Sequence, residues 1–256
     1  MNFRQIAINA AKRSGALLKK SFSKRGKRSW KDKAGAQIVL KEDVESEKII
    51  IAEIKKYFPQ HSIYSEEIGS ETKKSEFCWI IDPLDGTTNY SMGIPWFCNC
   101  IALSKNNKVV LGTIYAPFSE QLYIAEDGKG IYLNDVKIKV NKKDLKDSIL
   151  FLAKGGPENK KWLGKTIINF SAATRTERIY GSLGLELALV SSGQADLVIS
   201  KGAQPYDYAA GALLVKEAGG KVTDFKGKEW QVSNANLVAS NGKIHKQILE
   251  VINKNV

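Results

Sequence analysis

The chain has few of the residues that soft-metal and nucleophilic chemistry depend on: its 256 residues include two histidines, His61 and His245, and three cysteines, Cys78, Cys98 and Cys100. With so few imidazoles, any metal must be held by oxygen, which points to hard cations such as Mg²⁺ or Mn²⁺. The cysteines are odd in number and lie in apolar, strand-like surroundings, so buried reduced thiols are the simpler reading, ahead of a disulfide or a zinc site. There are only six prolines and no low-complexity tract, which argues against extensive disorder. No apolar run approaches the ~18–20 residues needed to span a bilayer. The first residues, MNFRQIAINAAKRSG, lack the apolar stretch and small-residue cleavage site of a secretory signal, so a cytoplasmic protein without a membrane partner is expected.

What is abundant is positive charge. Lysine and arginine exceed aspartate and glutamate by 39 to 27, a formal charge of +12, so partners are expected to be anionic. Lys19, Lys20, Lys24, Arg25, Lys27, Arg28, Lys31 and Lys33 crowd one segment, with Trp30 among them. Such a run suits phosphate or nucleic acid, and equally a solvated loop after a helix.

Apolar spacing at Phe3, Ile6, Ala7, Ala10, Leu17 and Leu18 predicts an amphipathic first helix. A second helix is expected to start around Asp43, as N-cap or first-turn residue, and to stop before Pro59. HSIYS reads as a short strand delivering Glu66 and Glu67. The stretches WFCNCIALS, KVVLGTIYAP and QLYIAE, with short runs at Gly130–Tyr132 and Val136–Val140, predict an antiparallel meander punctuated by turn-forming clusters. Beyond residue 147 strands and helices alternate: SILFLA, a helix over 160–172, TERIYG, a helix over 183–192, ADLVIS, a helix over 208–218, and LVAS. Gly219-Gly220 reads as the C-cap of the last of these helices. The expected organisation is α/β, with an α+β lobe over 1–140 and an α/β lobe over 141–256 and the site in the cleft between them.

The chemistry concentrates where apolar elements end in carboxylates: Glu66-Glu67 after HSIYS, Asp82 and Asp85 after CWII, and Asp207 in QPYDYAAG. Carboxylates that converge without basic partners repel, and a bound cation neutralises them. In WIIDPLDGTTNY a Pro-Leu turn between Asp82 and Asp85 would aim both side chains and the Leu84 carbonyl at one point. Gly86 lets backbone approach an anion, and Thr87-Thr88 would open a short helix whose free N–H groups suit phosphate oxygens. For the Asp-Gly pair alone, an ordinary turn with a capping threonine is the simpler reading.

IDPLDGTTN, with SEEIG upstream and PYDYAAGALLVKEAGG downstream, resembles the inositol monophosphatase family, within the lithium-sensitive, Mg²⁺-dependent sugar, polyol and nucleotide phosphatases. The motifs stand in the family's order, and the similarity runs from the first helix almost to the C-terminus. The resemblance implies a layered αβαβα sandwich of the inositol monophosphatase and fructose-1,6-bisphosphatase type, two or three Mg²⁺ ions, and a homodimer. It implies Glu66, Asp82, the Leu84 carbonyl, Asp85 and Asp207 as metal ligands. Gly86 and Thr87 would bind phosphate through backbone N–H groups, and Thr87, Glu66 and Asp43 would direct a metal-activated water in line at a phosphate monoester, without a phospho-enzyme.

The pattern departs from the family around the substrate. Ser200 stands where members commonly carry an acid, Tyr206 where a tryptophan is usual, and Gln37-Ile38-Val39-Leu40 replaces an Asp-x-Val-Thr stretch. Lys201 beside Ser200 would favour a second anionic group if it faces the pocket, with exposure to solvent the equal alternative, and Ser182 opens a helix expected to reach the same pocket. Thr88-Asn89 replaces the lysine usual in the nucleotide-bisphosphatase branch. The expected substrate is therefore a small phosphate monoester of inositol-1-phosphate type, with fructose 1,6-bisphosphate or another sugar or nucleotide ester as the alternative. A reading from another class is an RNA- or transcription-complex-binding factor, using the basic segment.

Overall fold

The computed structural model describes residues 2–23, 31–33 and 37–253. The core of the basic run, residues 24–30, and residues 34–36 lie outside the described residues.

In chain order the elements are α1 (Phe3–Phe22), β1 (Lys31–Lys33), β2 (Gln37–Val39), α2 (Lys41–Tyr57), β3 (Ser62–Ser65), β4 (Gly69–Glu71), β5 (Phe77–Asp85), α3 (Thr87–Met92), β6 (Cys98–Lys105), β7 (Lys108–Ala116), β8 (Gln121–Glu126), β9 (Gly130–Leu133) and β10 (Val136–Lys137). They continue as β11 (Ile149–Lys154), α4 (Lys160–Ser171), β12 (Thr176–Arg178), α5 (Leu183–Ser191), β13 (Leu197–Lys201), α6 (Pro205–Glu217), β14 (Lys221–Thr223), β15 (Asn236–Ser240) and α7 (His245–Asn253). An eight-stranded sheet has the order β10-β9-β8-β7-β6-β5-β3-β4, and a five-stranded sheet the order β12-β11-β13-β15-β14. From β5 to β10 every neighbour is antiparallel, which is the expected meander. In the second sheet β11 runs parallel to β12 and β13, as strand–helix–strand alternation requires.

Two amphipathic helices cover the outer face of the first sheet: Ile6, Ala7 and Ala10 of α1 and Ile50 and Ile54 of α2 pack on Trp79, Ile81, Ile101 and Leu103. The inner face, with Ile80, Ile114 and Tyr123, packs on Leu185, Ala188, Ala209 and Leu213 of α5 and α6. The opposite sides of α5 and α6, through Leu187, Val190, Tyr208 and Val215, pack on Phe151, Val198 and Leu237 of the second sheet. Phe170 of α4 and Ile248 and Ile252 of α7 close the far side against Leu150, Ile199 and Val238. The result is the expected αβαβα sandwich. A helix clasped between two sheets needs apolar residues all round, which is why LGLELALV and YAAGALLV show an apolar run and no polar face.

The structure corrects several local expectations. Asp82 and Asp85 are not separated by a turn: β5 continues through Pro83 and Leu84 to Asp85, and its pairing with β6 slips between the two aspartates as a bulge. Helix α6 begins at Pro205, three residues earlier than expected, because proline suits a first helical turn. The Val136–Val140 strand is only the two-residue β10. Helix α7 and strands β1, β2, β4 and β14 were not expected.

The middle layer is tight at Gly211 of α6, where a Cβ would lie 2.5 Å from Leu187 Cδ1 and 2.6 Å from Leu187 Cβ. Gly211→Ala is expected to cost about 1–3 kcal/mol in chemical denaturation through overpacking. An unchanged midpoint would show that α5 and α6 have slack the packing does not suggest.

Candidate active site

The site is assembled by the ends of four elements. Glu66 follows β3, whose Ser65 pairs with Ile81, so Glu66 is delivered beside the end of β5. Asp82 and Asp85 sit in the bulge of β5, both almost fully buried. Asp207 lies in the first turn of α6, where one carboxylate oxygen accepts from the Gln204 N–H at 2.6 Å. Asp43 does the same for α2: Oδ2 accepts from the Leu40 N–H at 2.7 Å. Its other oxygen faces Thr87, so Asp43 serves both as a helix-capping group and as a partner of the threonine. The Thr87 hydroxyl lies 3.1 Å from Asp43 Oδ1 and 2.9 Å from the Leu84 carbonyl, and its one proton serves either.

The bulge is held by a hydrogen-bond relay. Asn99 on β6 donates to Ser14 of α1 at 3.2 Å, Ser14 and Ser46 of α2 are 2.6 Å apart, and Ser46 donates to the Pro83 carbonyl at 2.7 Å. Asp82 Oδ1 accepts from the Leu84 N–H at 3.0 Å. Gly86 then turns the chain with φ +92°, and a Cβ there would lie 2.9 Å from the Trp96 carbonyl, so glycine is required on two counts. Thr87 and Thr88 open α3, as expected.

Asp85 meets the start of α5. Its Oδ2 accepts from Ser182 Oγ and from the Gly184 N–H, each at 2.7 Å, and Oδ1 from the Leu183 N–H at 3.2 Å. Ser182, expected from the sequence to lie near the pocket, thus reaches the carboxylates through Asp85. Ser200 and Lys201 do not join them. Ser200 is fully buried, with its hydroxyl 3.2 Å from that of Tyr208, and the Lys201 ammonium lies over the Trp162 ring, 5.9 Å from its centroid.

Electrostatics define what this cluster needs. Glu66 and Asp82 lie side by side, and both are held well above the usual carboxylate range, first by burial and then by neighbouring charges, that of Asp207 included. Burial also pushes Asp207 up to about 7, helped by the charge of Asp85, and Asp43 up to about 7, helped by that of Glu67. Asp85 is raised by burial and partly relieved by its bonds from Ser182 and Gly184. Among the described residues no lysine or arginine forms an ion pair with Asp43, Glu66, Asp82, Asp85 or Asp207. Carboxylates gathered this closely stay ionised at neutral pH only with a cation among them, and an oxygen-only donor set fits a hard one.

Two further glutamates belong to this region and were not anticipated. Glu47 of α2 is buried and accepts from Ser65 Oγ, from the Glu67 N–H at 3.1 Å and from the Ile68 N–H at 3.3 Å, clamping the loop that carries Glu66. Glu186 of α5 accepts from the N–H groups of Tyr180 and Gly181 at 3.1 and 3.2 Å, fixing the approach to Ser182. In sequence both look like ordinary helix-surface glutamates; only tertiary burial distinguishes them. Tyr206 lies tilted against Tyr64, with ring centroids 5.7 Å apart, and burial and the charges of Glu66 and Asp207 push its phenol far up.

Five alternating layers around a buried carboxylate centre define the class: an αβαβα protein whose site is made where strand and helix ends meet. The chain belongs to the inositol monophosphatase family, whose sequence model matches residues 1–256. It is 37% identical over 217 residues to the fructose-1,6-bisphosphatase/inositol-1-monophosphatase of Thermotoga maritima, covering 85% of this chain and 83% of that one. It is 36% identical over 253 residues to Nus factor SuhB of Pasteurella multocida, covering 96% and 94%. Among solved structures, the extragenic suppressor protein suhB of Bartonella henselae matches with a TM-score of 0.94 at 31% identity, covering 98% of each chain.

The raised carboxylates fix a pH dependence. Between 3.8 and about 7 the folded, metal-free chain keeps protons on Asp43 and Asp207 that the unfolded chain has lost, so its stability falls as pH rises through that window. Buried His245, lowered from 6.5 to about 4, acts with the opposite sign, since there the unfolded chain binds the extra proton. His245 cancels in a comparison at one pH. The gain in Tm from adding Mg²⁺ to chelator-treated protein is therefore expected to widen from about pH 5 to about pH 8. A gain that stays flat across this range would mean the carboxylates do not hold the cation.

Proposed function

We propose that the chain is a Mg²⁺-dependent phosphatase that hydrolyses a small phosphate monoester, with an inositol-1-phosphate-like polyol ester as the favoured substrate. The observation that carries this reading is the convergence of Glu66, Asp82, Asp85 and Asp207 without a basic partner, beside the turn at Gly86 and Thr87. A protein that only bound a macromolecule would have no physical use for so much buried negative charge.

In this reading Glu66, Asp82, the Leu84 carbonyl, Asp85 and Asp207 hold two or three Mg²⁺ ions, with Mn²⁺ as a substitute. The ions would neutralise the phosphate and make a nearby water more acidic. The chain's own groups do the rest. The Gly86 and Thr87 N–H groups hold phosphate oxygens at the start of α3. The Thr87 hydroxyl, fixed by Asp43, orients the attacking water, and Glu66 accepts its proton. Water oxygen bonds to phosphorus as the ester P–O bond breaks on the Asp207 side, where the leaving oxygen takes a proton from solvent, giving an alcohol and inorganic phosphate. No thiol or hydroxyl is needed as a nucleophile; Cys98 and Cys100 are buried, with thiols raised chiefly by burial for Cys98 and by the Cys98 contact for Cys100.

Relatives support the class and divide on the partner. One is named for fructose-1,6-bisphosphatase and inositol-1-monophosphatase activities and another for a Nus factor, so fructose 1,6-bisphosphate is the alternative substrate and a transcription complex the alternative partner. We place Ser182, bonded to Asp85, on the substrate side as a specificity residue, and a homodimer as the working assembly; Ser200, buried against Tyr208, and Lys201, over the Trp162 ring, are not assigned there. Among the described residues no helix is long and apolar enough to cross a membrane.

A phosphate-release panel of inositol 1-phosphate, fructose 1,6-bisphosphate, histidinol phosphate, adenosine 3′,5′-bisphosphate and NADP tests the substrate. Activity is expected to need Mg²⁺, and Glu66→Gln to lower kcat by about 10²–10⁴-fold as lost proton transfer predicts. Full activity in that variant would sink the assignment.

The second reading is favoured by the basic run that starts at Lys19. If the chain contacts RNA there, affinity is expected to fall steeply with salt, and neutralising Lys24, Arg25, Lys27 and Arg28 to flatten the slope. Salt-independent binding, or none, removes it.

A further inference from the structure

Cys98 and Cys100 are alternate residues of β6 and so point to the same side of the sheet, toward the start of α5. Across the ladder Cys98 is paired with Asp85 and Cys100 with Asp82, which puts both thiols directly under the carboxylate bulge. Their sulfurs are 3.7 Å apart, and Cys98 Sγ is 3.5 Å from Asp85 Oδ2. One donor atom from each of Asp85, Cys98 and Cys100 lies within 4.8 Å of the others.

These separations match the edges of a particular coordination figure. With Zn–S of about 2.3 Å and Zn–O of about 2.1 Å, tetrahedral angles give an S···S edge of about 3.8 Å and an S···O edge of about 3.6 Å. Two edges of that figure, between the sulfurs and from Cys98 Sγ to Asp85 Oδ2, are therefore already of zinc size, and the third, from Cys100 to Asp85, lies within 4.8 Å. Ser182 Oγ, 3.8 Å from Cys98 Sγ and 2.7 Å from Asp85 Oδ2, borders the same space. Glycine at 184 completes the enclosure: a Cβ there would collide with Cys100 Sγ and lie 3.0 Å from Asp85 Oδ2 and 3.1 Å from Cys98 Sγ.

We propose that Asp85, Cys98 and Cys100 form a site for a thiophilic divalent cation, Zn²⁺, distinct in donor chemistry from the oxygen-only centre above it. On binding, Zn²⁺ replaces the two S–H protons, which pass to solvent, and takes one oxygen of Asp85; no oxidant or reductant is involved. Mg²⁺ does not compete for thiolates, so the two sites differ in metal preference while sharing one aspartate. The shared residue makes Zn²⁺ an inhibitor of Mg²⁺-dependent turnover. That consequence rests on the phosphatase reading; the site itself does not. Because both thiols are buried, entry requires the first turn of α5 to open, and occupancy builds slowly.

The test uses the full-length reduced protein and Cd²⁺, whose bonds to thiolates absorb in the ultraviolet. One Cd²⁺ per chain is expected, with thiolate-to-cadmium absorption that Zn²⁺ displaces. Cys98→Ser and Cys100→Ser together are expected to reduce that absorption at least about tenfold, while Cys78→Ser, which alters the remaining thiol, leaves it in place. X-ray absorption of the Zn²⁺-loaded unmutated protein covers the case in which the double variant does not fold, and two sulfur neighbours at about 2.3 Å are expected. Absorption that survives the double variant, absorption lost with Cys78→Ser, or a zinc shell without sulfur would each overturn the proposal. None of these readouts depends on phosphate release, so a failed phosphatase assay and a failed zinc site are separately visible.

Discussion

The mutual repulsion of buried carboxylates is the constraint around which this molecule is arranged. Glu66, Asp82, Asp85 and Asp207 come from four points in the chain, and desolvation penalises the charge on each. Left alone, such groups would take up protons or spring apart. They are kept in place because each is fastened by backbone or neighbouring side chains: Asp82 by the Leu84 N–H, Asp85 by the start of α5, Asp207 by the Gln204 N–H, and the Glu66 loop by Glu47. Apolar strands then anchor those fastenings. The rigidity belongs to the scaffold, and what remains to be supplied from outside is positive charge.

The same device appears twice. Asp43 and Asp207 each stand in the first turn of a helix and accept from a backbone N–H three residues earlier, so one oxygen is spent on helix geometry and the other is free to face the site. A group used in this way cannot drift without unravelling a helix end. Structural and functional roles are therefore not alternatives at these positions.

Much of this was legible in the sequence, for identifiable reasons. Helix α1 shows its apolar stripe, and β5 shows an apolar lead-in that ends in aspartate. The resemblance carried by IDPLDGTTN, SEEIG and PYDYAAG located the carboxylates in advance. Features that depend on tertiary closure were not legible. The Pro83-Leu84 step reads locally as a turn, yet pairing with β6 on one side and the Ser46 bond on the other keep it in the strand as a bulge. Glu47 and Glu186 carry no local mark of burial. Helix α7 is short, and its apolar residues Ile248 and Ile252 make sense only against the second sheet. Ser200 and Lys201 are adjacent in sequence but face opposite sides of β13, so adjacency was a poor guide to their shared role.

The double burial of α5 and α6 bears on how the chain is made. The inner face of the first sheet, with Ile80, Ile114 and Tyr123, leaves the ribosome well before the helices that cover it, which begin at Leu183 and Pro205. A nascent chain therefore carries an uncovered apolar sheet for much of its synthesis, the situation in which aggregation competes with folding. Neither sheet can finish its core without both helices, so closing the two cores and bringing Asp207 to the other carboxylates depend on the same pair of helices.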